Sequence, residues 1–397
     1  MKNKYLNGLL PMILINFSIG SVYCWTLFKE DIILFAGFSK SVTEWCFSLA
    51  IFILGMSAAF GGKIVERDVK RSCLITFVMF TAGMALTGVG IQIKSPWLTV
   101  LSYGVIQGIG LGFGYITPVK TMMLWFADNR GLAAGLSIAG FGMARVIANP
   151  LIAYLLETLP VYSSFYVLAA LYGSAIFIAC WLICRPPLVE TDISEAKMLS
   201  YREIIFAPKF IFLWLVFFLN ITSGLALISQ EKQIYHMLGE TVISTVVLYV
   251  SISSILNLIG RFTMASWQDA LKQKHIPYFL MAVASLAVCF VAALSFNQMP
   301  QTLLMMWVVN FFFGCGFSCM PNILLQHYGM QQLATVQGLT LSAWAIAGLV
   351  GNQLALYIIN AYSLGTLYTS FALLYTVELA LLLIWSKVAF MPKKDPA

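Results

Sequence analysis

Apolar residues run along this chain in blocks long enough to cross a lipid bilayer, separated by short polar breaks. A crossing helix takes about 20 such residues. Twelve blocks meet that length, at 6–28, 44–62, 72–93, 97–124, 131–156, 163–184, 209–230, 242–265, 277–295, 302–325, 336–359 and 363–387. The pattern predicts an all-α membrane protein with twelve transmembrane helices. The first block follows a short basic stretch, MKNK, as a signal peptide would. It is longer than a signal h-region and lacks a small-x-small cleavage site, so it reads as a retained first helix.

Composition narrows the class further. Of 397 residues, 60% are apolar and 10% charged, against roughly 25% charged in an ordinary soluble domain. Twelve spans use about 240 residues, leaving short loops and no room for a second soluble domain. Most enzymes are thereby excluded, and no cofactor is expected. The eight cysteines lie in or beside apolar spans as small buried hydrophobes. Cys315 and Cys319 share a helix face, but no His or carboxylate joins them, so a metal site is not expected. The net charge of +7 could suggest nucleic acid, but its placement says otherwise. With both termini inside, about 16 Lys and Arg fall in or beside cytoplasmic segments and about four fall outside. The bias points to a multi-pass protein of the cell membrane with cytoplasmic termini, in contact with lipid and not with nucleic acid.

The second half of the chain overlays the first at a shift of 203 or 204 residues. Asn16 and Gly20 meet Asn220 and Gly224, Glu66 meets Asp269, and Pro118 meets Pro321. Gly135-Leu136 meets Gly338-Leu339, and Asn149, Leu151 and Tyr154 meet Asn352, Leu354 and Tyr357. Two six-helix bundles in the same orientation are expected, residues 1–184 and 209–397, joined by a cytoplasmic linker at 185–208 that carries the charged stretch ETDISEAKMLSYRE. Such a duplication makes a pseudo-two-fold carrier, whose cargo binds near the midplane between halves that rock around it. This fold usually works as a monomer.

The loop after the second span reads Gly62-Lys-Ile-Val-Glu66-Arg67-Asp68-Val69-Lys70-Arg71. It resembles the signature loop of the major facilitator superfamily, with Val69 where that pattern usually has Gly. Its acid and Arg at helix ends can pair with a neighbouring helix dipole in one conformation and release in another. Gly62, Glu66, Arg67 and Arg71, with Asp269 as the repeat counterpart, therefore form a candidate conformational latch. Within the superfamily, Gly20-Ser-Val-Tyr23-Cys-Trp25-Thr-Leu-Phe28 resembles the Gly-x-x-Tyr-x-Trp-x-x-Phe of the oxalate/formate antiporter family. GIGLGFGYITPVKTMMLWFADNRGLAAG, FFLNITSGLALISQ, Asn257-Leu-Ile-Gly260-Arg261 and SAWAIAGLVGN are similar to that family too, and more distantly to monocarboxylate transporters. The family's oxalate carriers place a Lys where this chain has Trp344. Gln326 stands where relatives often carry an Asp, and Arg145 where a small residue is expected.

An ionisable side chain in hydrocarbon costs roughly 2.5–3.5 kcal/mol on insertion scales and normally faces a cavity. Lys120, Arg145 and Arg261 are read as the interior charges, all cationic, with no interior acid expected beside them. Cations without fixed counter-ions imply a mobile one, so the expected partner is a small organic anion, a mono- or dicarboxylate. Arg261 stands eight residues before Asp269, about 12 Å at the helical rise, and its donor fork suits a carboxylate. The resemblance implies the same role for it. Arg145 could add a second charge to the cavity or brace helices; Lys120 could reach the site or snorkel to the interface. Tyr23 and Tyr115 could donate hydroxyls, Trp25 and Trp344 could wall the site, and Asn257, one turn before Arg261, could orient the guanidinium. An acid-free interior favours exchange or facilitated diffusion. An exporter of neutral or cationic compounds, or a proton-coupled monocarboxylate symporter, is the alternative.

Overall fold

The computed structural model describes residues 3–187, 199–240, 242–295 and 298–389. Twelve helices long and apolar enough to cross a membrane account for nearly all of them. They are α1 (Tyr5–Ala36), α2 (Lys40–Arg67), α3 (Val69–Gln92), α4 (Pro96–Trp125), α5 (Arg130–Thr158), α6 (Val161–Leu182), α7 (Pro208–Met237), α8 (Ile243–Ala270), α9 (Ile276–Leu294), α10 (Met299–Tyr328), α11 (Leu333–Ala361) and α12 (Leu364–Ala389). Much of the expected linker, 188–198, lies outside the described residues. Its far end carries a short helix, Tyr201–Ile205, opened by a capping box between Ser200 and Glu203.

Local chemistry sets the helix ends. Ser39, Asp68 and Ser95 accept backbone N–H groups at the starts of α2, α3 and α4, as N-caps do. Proline stands in the first turn of α4, α7, α9 and α10, where no hydrogen bond is lost. α1 outruns its expected span by eight residues, because its helix continues through Lys29-Glu30-Asp31 to Gly37, whose φ of 71° ends it. Within α1 the helix tightens to a 3-10 turn over Gly20–Cys24. There Gly20 lies against the carbonyl of Phe141, which leaves no space for a Cβ.

The helices pack as two six-helix bundles, α1–α6 and α7–α12, which meet mainly through α2 against α11 and α5 against α8 and α10. The α2–α11 contact is made by small residues. A Cβ on Gly62 would overlap the Thr335 backbone, and one on Gly338 would overlap the Ala58 carbonyl. In the α5–α8 contact, Gly131 and Gly135 lie against Asp269, Ala265 and the Arg261 carbonyl. Close approach therefore runs from the Glu66 and Asp269 end to about Ala345 and Gly142. One turn further, Arg145, Val146 and Ile147 on α5 and Leu349 and Val350 on α11 are exposed. Among described residues, the basic side chains Lys63, Arg67, Lys70, Arg71, Arg130, Arg185, Lys272 and Lys274 gather at the closed end, while Lys29, Lys40 and Lys94 mark the other.

A bulky side chain at Gly338 tests this contact. In a background whose native cysteines are replaced, Gly338→Leu is expected to speed maleimide labelling of a cysteine placed at buried Thr335. Unchanged labelling would show that α2 and α11 do not meet there.

Candidate functional site

The closed end is held by two carboxylates seated on helix N-termini of the opposite bundle. Glu66, at the end of α2, accepts from Ala334 N at 2.5 Å and Thr335 N at 3.2 Å, the start of α11. Asp269, at the end of α8, accepts from Gly131 N and Leu132 N, both at 2.9 Å, the start of α5. The 203-residue repeat carries Glu66 onto Asp269, and Gly131-Leu132 onto Ala334-Thr335. One contact is thus made twice. Helix N-termini expose unpaired N–H groups and positive dipole ends, so both acids sit where the backbone favours negative charge.

The supporting side chains differ between the two copies. Lys120 donates to Glu66 Oε2 at 2.6 Å and also to the Met330 carbonyl. Asn322 donates to Asp269 at 3.0 Å. Lys120 is 3% exposed, so neither expected placement holds: it does not snorkel, and it stands away from the midplane opening, bound to Glu66. Arg67 and Arg71 are exposed at this end and make no side-chain bond among the described residues. Arg185 instead donates to the Val65 and Glu66 carbonyls at the end of α2. Lys274, the repeat counterpart of Arg71, does the same for Gln268 and Asp269, at 3.0 Å each. His275, in the turn before α9, is half-buried, not solvated as its loop position suggests, and that burial pushes its pKa down.

Above this floor, five rings from five helices form one cluster. Phe141 stands edge-on to Tyr23 and to Tyr115, each at 5.2 Å between centroids. Trp344 lies 5.8 Å from Tyr115 and 5.2 Å from Phe317. Arg261 completes the cluster with its guanidinium 5.9 Å over the Phe317 ring, a cation–π distance. Gly142 leaves it room, since a Cβ there would come within 3.2 Å of Nη1. Nη1 donates to the Ile138 carbonyl at 2.6 Å, and Nε has no partner. Trp344 Nε1 is likewise unpartnered, and no partner for the Tyr23 or Tyr115 hydroxyl occurs among the described residues. Among the described residues, no carboxylate pairs with Arg261. The cluster's unmatched nitrogens, Arg261 Nε and Trp344 Nε1, are both donors, a local surplus of donors. Buried polar groups are normally paired, so this surplus suits a ligand rich in acceptor oxygens.

Arg145 stands one turn beyond Gly142, exposed, within electrostatic reach of Tyr23 and Cys24 on α1 and Glu231 on α7. Its reach to helices of both bundles sets it between them. On the closed side of the cluster, Tyr115, Phe317, Gln337 and Thr340 line a void of about 10 Å³, room for one water.

Three further expectations are corrected. Trp25 is fully buried inside the first bundle, 4.0 Å from the Tyr103 ring, with Nε1 bonded to the Thr43 carbonyl at 2.8 Å; it walls no opening. Asn257 donates to the Asn310 carbonyl at 2.9 Å and ties α8 to α10, not to the guanidinium. The interior is not free of acids. Glu231 is 5% exposed and accepts from the Tyr235 hydroxyl at 2.9 Å, and Glu378, midway along α12, is wholly buried. Phe141, Phe317 and Gln337 join the neighbourhood without a sequence signal. Glu378 had one, a lone acid in the run TVELALLLIW.

A model of the Major Facilitator Superfamily matches residues 3–352. The uncharacterized MFS-type transporter YhjX of Escherichia coli K12 is 26% identical over 349 residues, covering 86% of this chain and 85% of that protein. The oxalate:formate antiporter of Oxalobacter formigenes is 25% identical over 401 residues, covering 96% and 90%. Among solved structures, the transporter FucP in its outward conformation aligns with a TM-score of 0.73 over 94% of this chain and 97% of that one, at 14% identity.

Removal of one partner from the Lys120–Glu66 pair is expected to destabilise the protein by about 3–5 kcal/mol, as for other buried pairs. Thermal unfolding of Lys120→Met, Glu66→Gln and the double variant checks this. The double loss should be well below the sum, and additive losses would show that the pair does not interact.

Proposed function

Because this chain belongs to the Major Facilitator Superfamily, we propose that its cargo is a small organic anion, a mono- or dicarboxylate, carried across the cell membrane by alternating access. The observation that carries this reading is the unmatched donor surplus around Arg261: a guanidinium with a free Nε, an indole N–H and two phenol hydroxyls, with no acid among them. In a low-dielectric interior an unanswered cation is costly, and a carboxylate that bridges these donors removes the cost. Arg261 binds the first carboxylate. Arg145, from the opposite bundle, meets a second one or the remainder of the anion's charge. Tyr23, Tyr115 and Trp344 close around the ligand.

The Glu66 and Asp269 pairs act as the latch on the closed side. That side is cytoplasmic by the positive-inside rule, and the opening beyond Arg145 then faces outward. Release of both carboxylates from their helix ends frees the bundles to rock about the site. A transporter in this family is not an enzyme, and a single chain contains every group the reading uses. The similarity to an antiporter whose name includes oxalate and formate agrees with small carboxylates as a class.

Uptake of a labelled panel (formate, acetate, pyruvate, oxalate, succinate) into proteoliposomes tests the class. Bidentate charge-assisted bonds of about 3 kcal/mol imply roughly a 100-fold loss of transport for Arg261→Ala, with unchanged melting temperature and elution. Wild-type rates would remove Arg261 from the site. Arg145→Ala should depress dianion transport more than monoanion transport. An equal fall in both would end the two-charge reading, and transport of none of the panel would end the anion reading.

A further inference from the structure

A second polar site lies inside the α7–α12 bundle, apart from the anion cluster. Glu378 is 0% exposed near the middle of α12. Its Oε1 accepts from Asn220 Nδ2 at 3.4 Å, while its Oε2 has no partner. Asn220 Oδ1, also buried, is unpartnered as well, and buried Ser223 and Ser285 face the Tyr375 hydroxyl. The groups around the carboxyl come from two neighbouring helices and from α12. Asn220 and Ser223 stand on α7, Tyr278 and Ser285 on α9, and Tyr375 on α12 itself. Tyr278 donates to the Gly316 carbonyl of α10 at 2.7 Å, and Gly316 lies against Asn220 Oδ1. Cys289 on α9 and Cys315 and Cys319 on α10 are the remaining titratable neighbours of those tyrosines. No Lys, Arg or His among the described residues pairs with Glu378.

We propose that Glu378 and Asn220 form a proton-binding site that couples transport to the pH gradient. A bare carboxylate at this depth, with one long hydrogen bond and no cation, is untenable. One added proton resolves the arrangement. As a neutral acid, Glu378 gains an O–H on Oε2, the carboxyl oxygen that has no partner. The step makes and breaks that O–H bond alone, with the proton taken from one aqueous side and released to the other. Asn220 links the site to the motion of the carrier: α7 also touches α11 through Thr222 and Gly351, beside the opening. A shift of α7 within its own bundle, as the carrier changes state, strains the Asn220–Glu378 contact.

The repeat argues against a merely structural acid. Asn16, the counterpart of Asn220, donates to the Ser137 carbonyl at 2.8 Å within its own bundle and needs no acid. The positions matching Glu378 are Ser174 and Ala175. The fold thus builds the first bundle without this group, and only the second carries it.

The site rests on a carrier but not on the identity of its cargo, and two measurements separate the two. Infrared difference spectra of the purified protein in lipid, titrated with pH, should show a protonated-carboxyl band that Glu378→Gln removes, Glu378→Asp restores, and Asn220→Leu shifts. In proteoliposomes, pyruvate or formate should accumulate toward about tenfold per pH unit of an inside-alkaline gradient for one proton per anion. Glu378→Gln should bring the ratio of this accumulation to isotopic exchange down by that factor. A band that persists in Glu378→Gln, or gradient-driven accumulation that survives it, overturns the proposal. Accumulation driven by sodium and indifferent to pH also overturns it, in favour of a metal-cation site.

Discussion

A carboxylate seated on the N-terminus of a helix from the opposite bundle is the contact around which the rest of this structure is arranged. A helix end in lipid has N–H groups that water cannot reach, and a side-chain acid answers both the missing hydrogen bonds and the dipole. Glu66 does so for α11 and Asp269 for α5. Both lie at the same end, so the bundles close there together. The glycine contacts of α2 with α11 and of α5 with α8 are the steric condition for it. Where those contacts stop, Arg145 stands exposed.

Charge inside the protein is balanced locally, and the balance differs from place to place. Glu66 has an ammonium and two backbone donors, so it is held by its own protein. Arg261 has one carbonyl and a ring face, which fix its position without cancelling its charge. Glu231 accepts from the Tyr235 hydroxyl and lies within electrostatic reach of Arg145, so that cation is partly screened. Glu378 is far from either arginine in bonding terms and has only an amide. Of Glu66, Glu231, Glu378, Lys120, Arg145 and Arg261, only Glu66 and Lys120 meet directly.

Much of the fold was legible in one dimension because lipid imposes a one-dimensional rule: enough apolar residues in a row make a span. The shift of 203 residues was legible for the same reason, and it located Asp269 as the partner of Glu66 before any contact was known. Arg261 was legible as a charge out of place. Lys120 was not, because its partner Glu66 lies 54 positions away and only packing brings them together. Trp25 misleads because a tryptophan that fills a bundle core and one that walls a cavity have the same sequence signature. Asn257 misleads differently: one turn of helix sets it beside Arg261, but a backbone carbonyl on α10 takes its donor first. Glu378 needed no contact map; an acid within an apolar span is a signal by itself.

The repeat separates what the two bundles share from what they do not, and the division has a physical logic. A hinge between halves works best when both sides release alike, and the latch acids, their helix ends and the mid-helix prolines Pro118 and Pro321 recur in both. Recognition needs the opposite. An asymmetric ligand between identical halves would meet the same group twice, and a proton site duplicated on both sides would load both at once. The chain departs from its repeat at Arg145 against Gly348, Lys120 against Ile323 and Glu378 against Ser174 or Ala175. Two of these three departures add charge where neither latch contact requires it. A side chain that breaks the symmetry, lies in the membrane and does nothing for the latch is retained at a cost in insertion energy, and chemistry on something that passes through is the compensation the fold has room for.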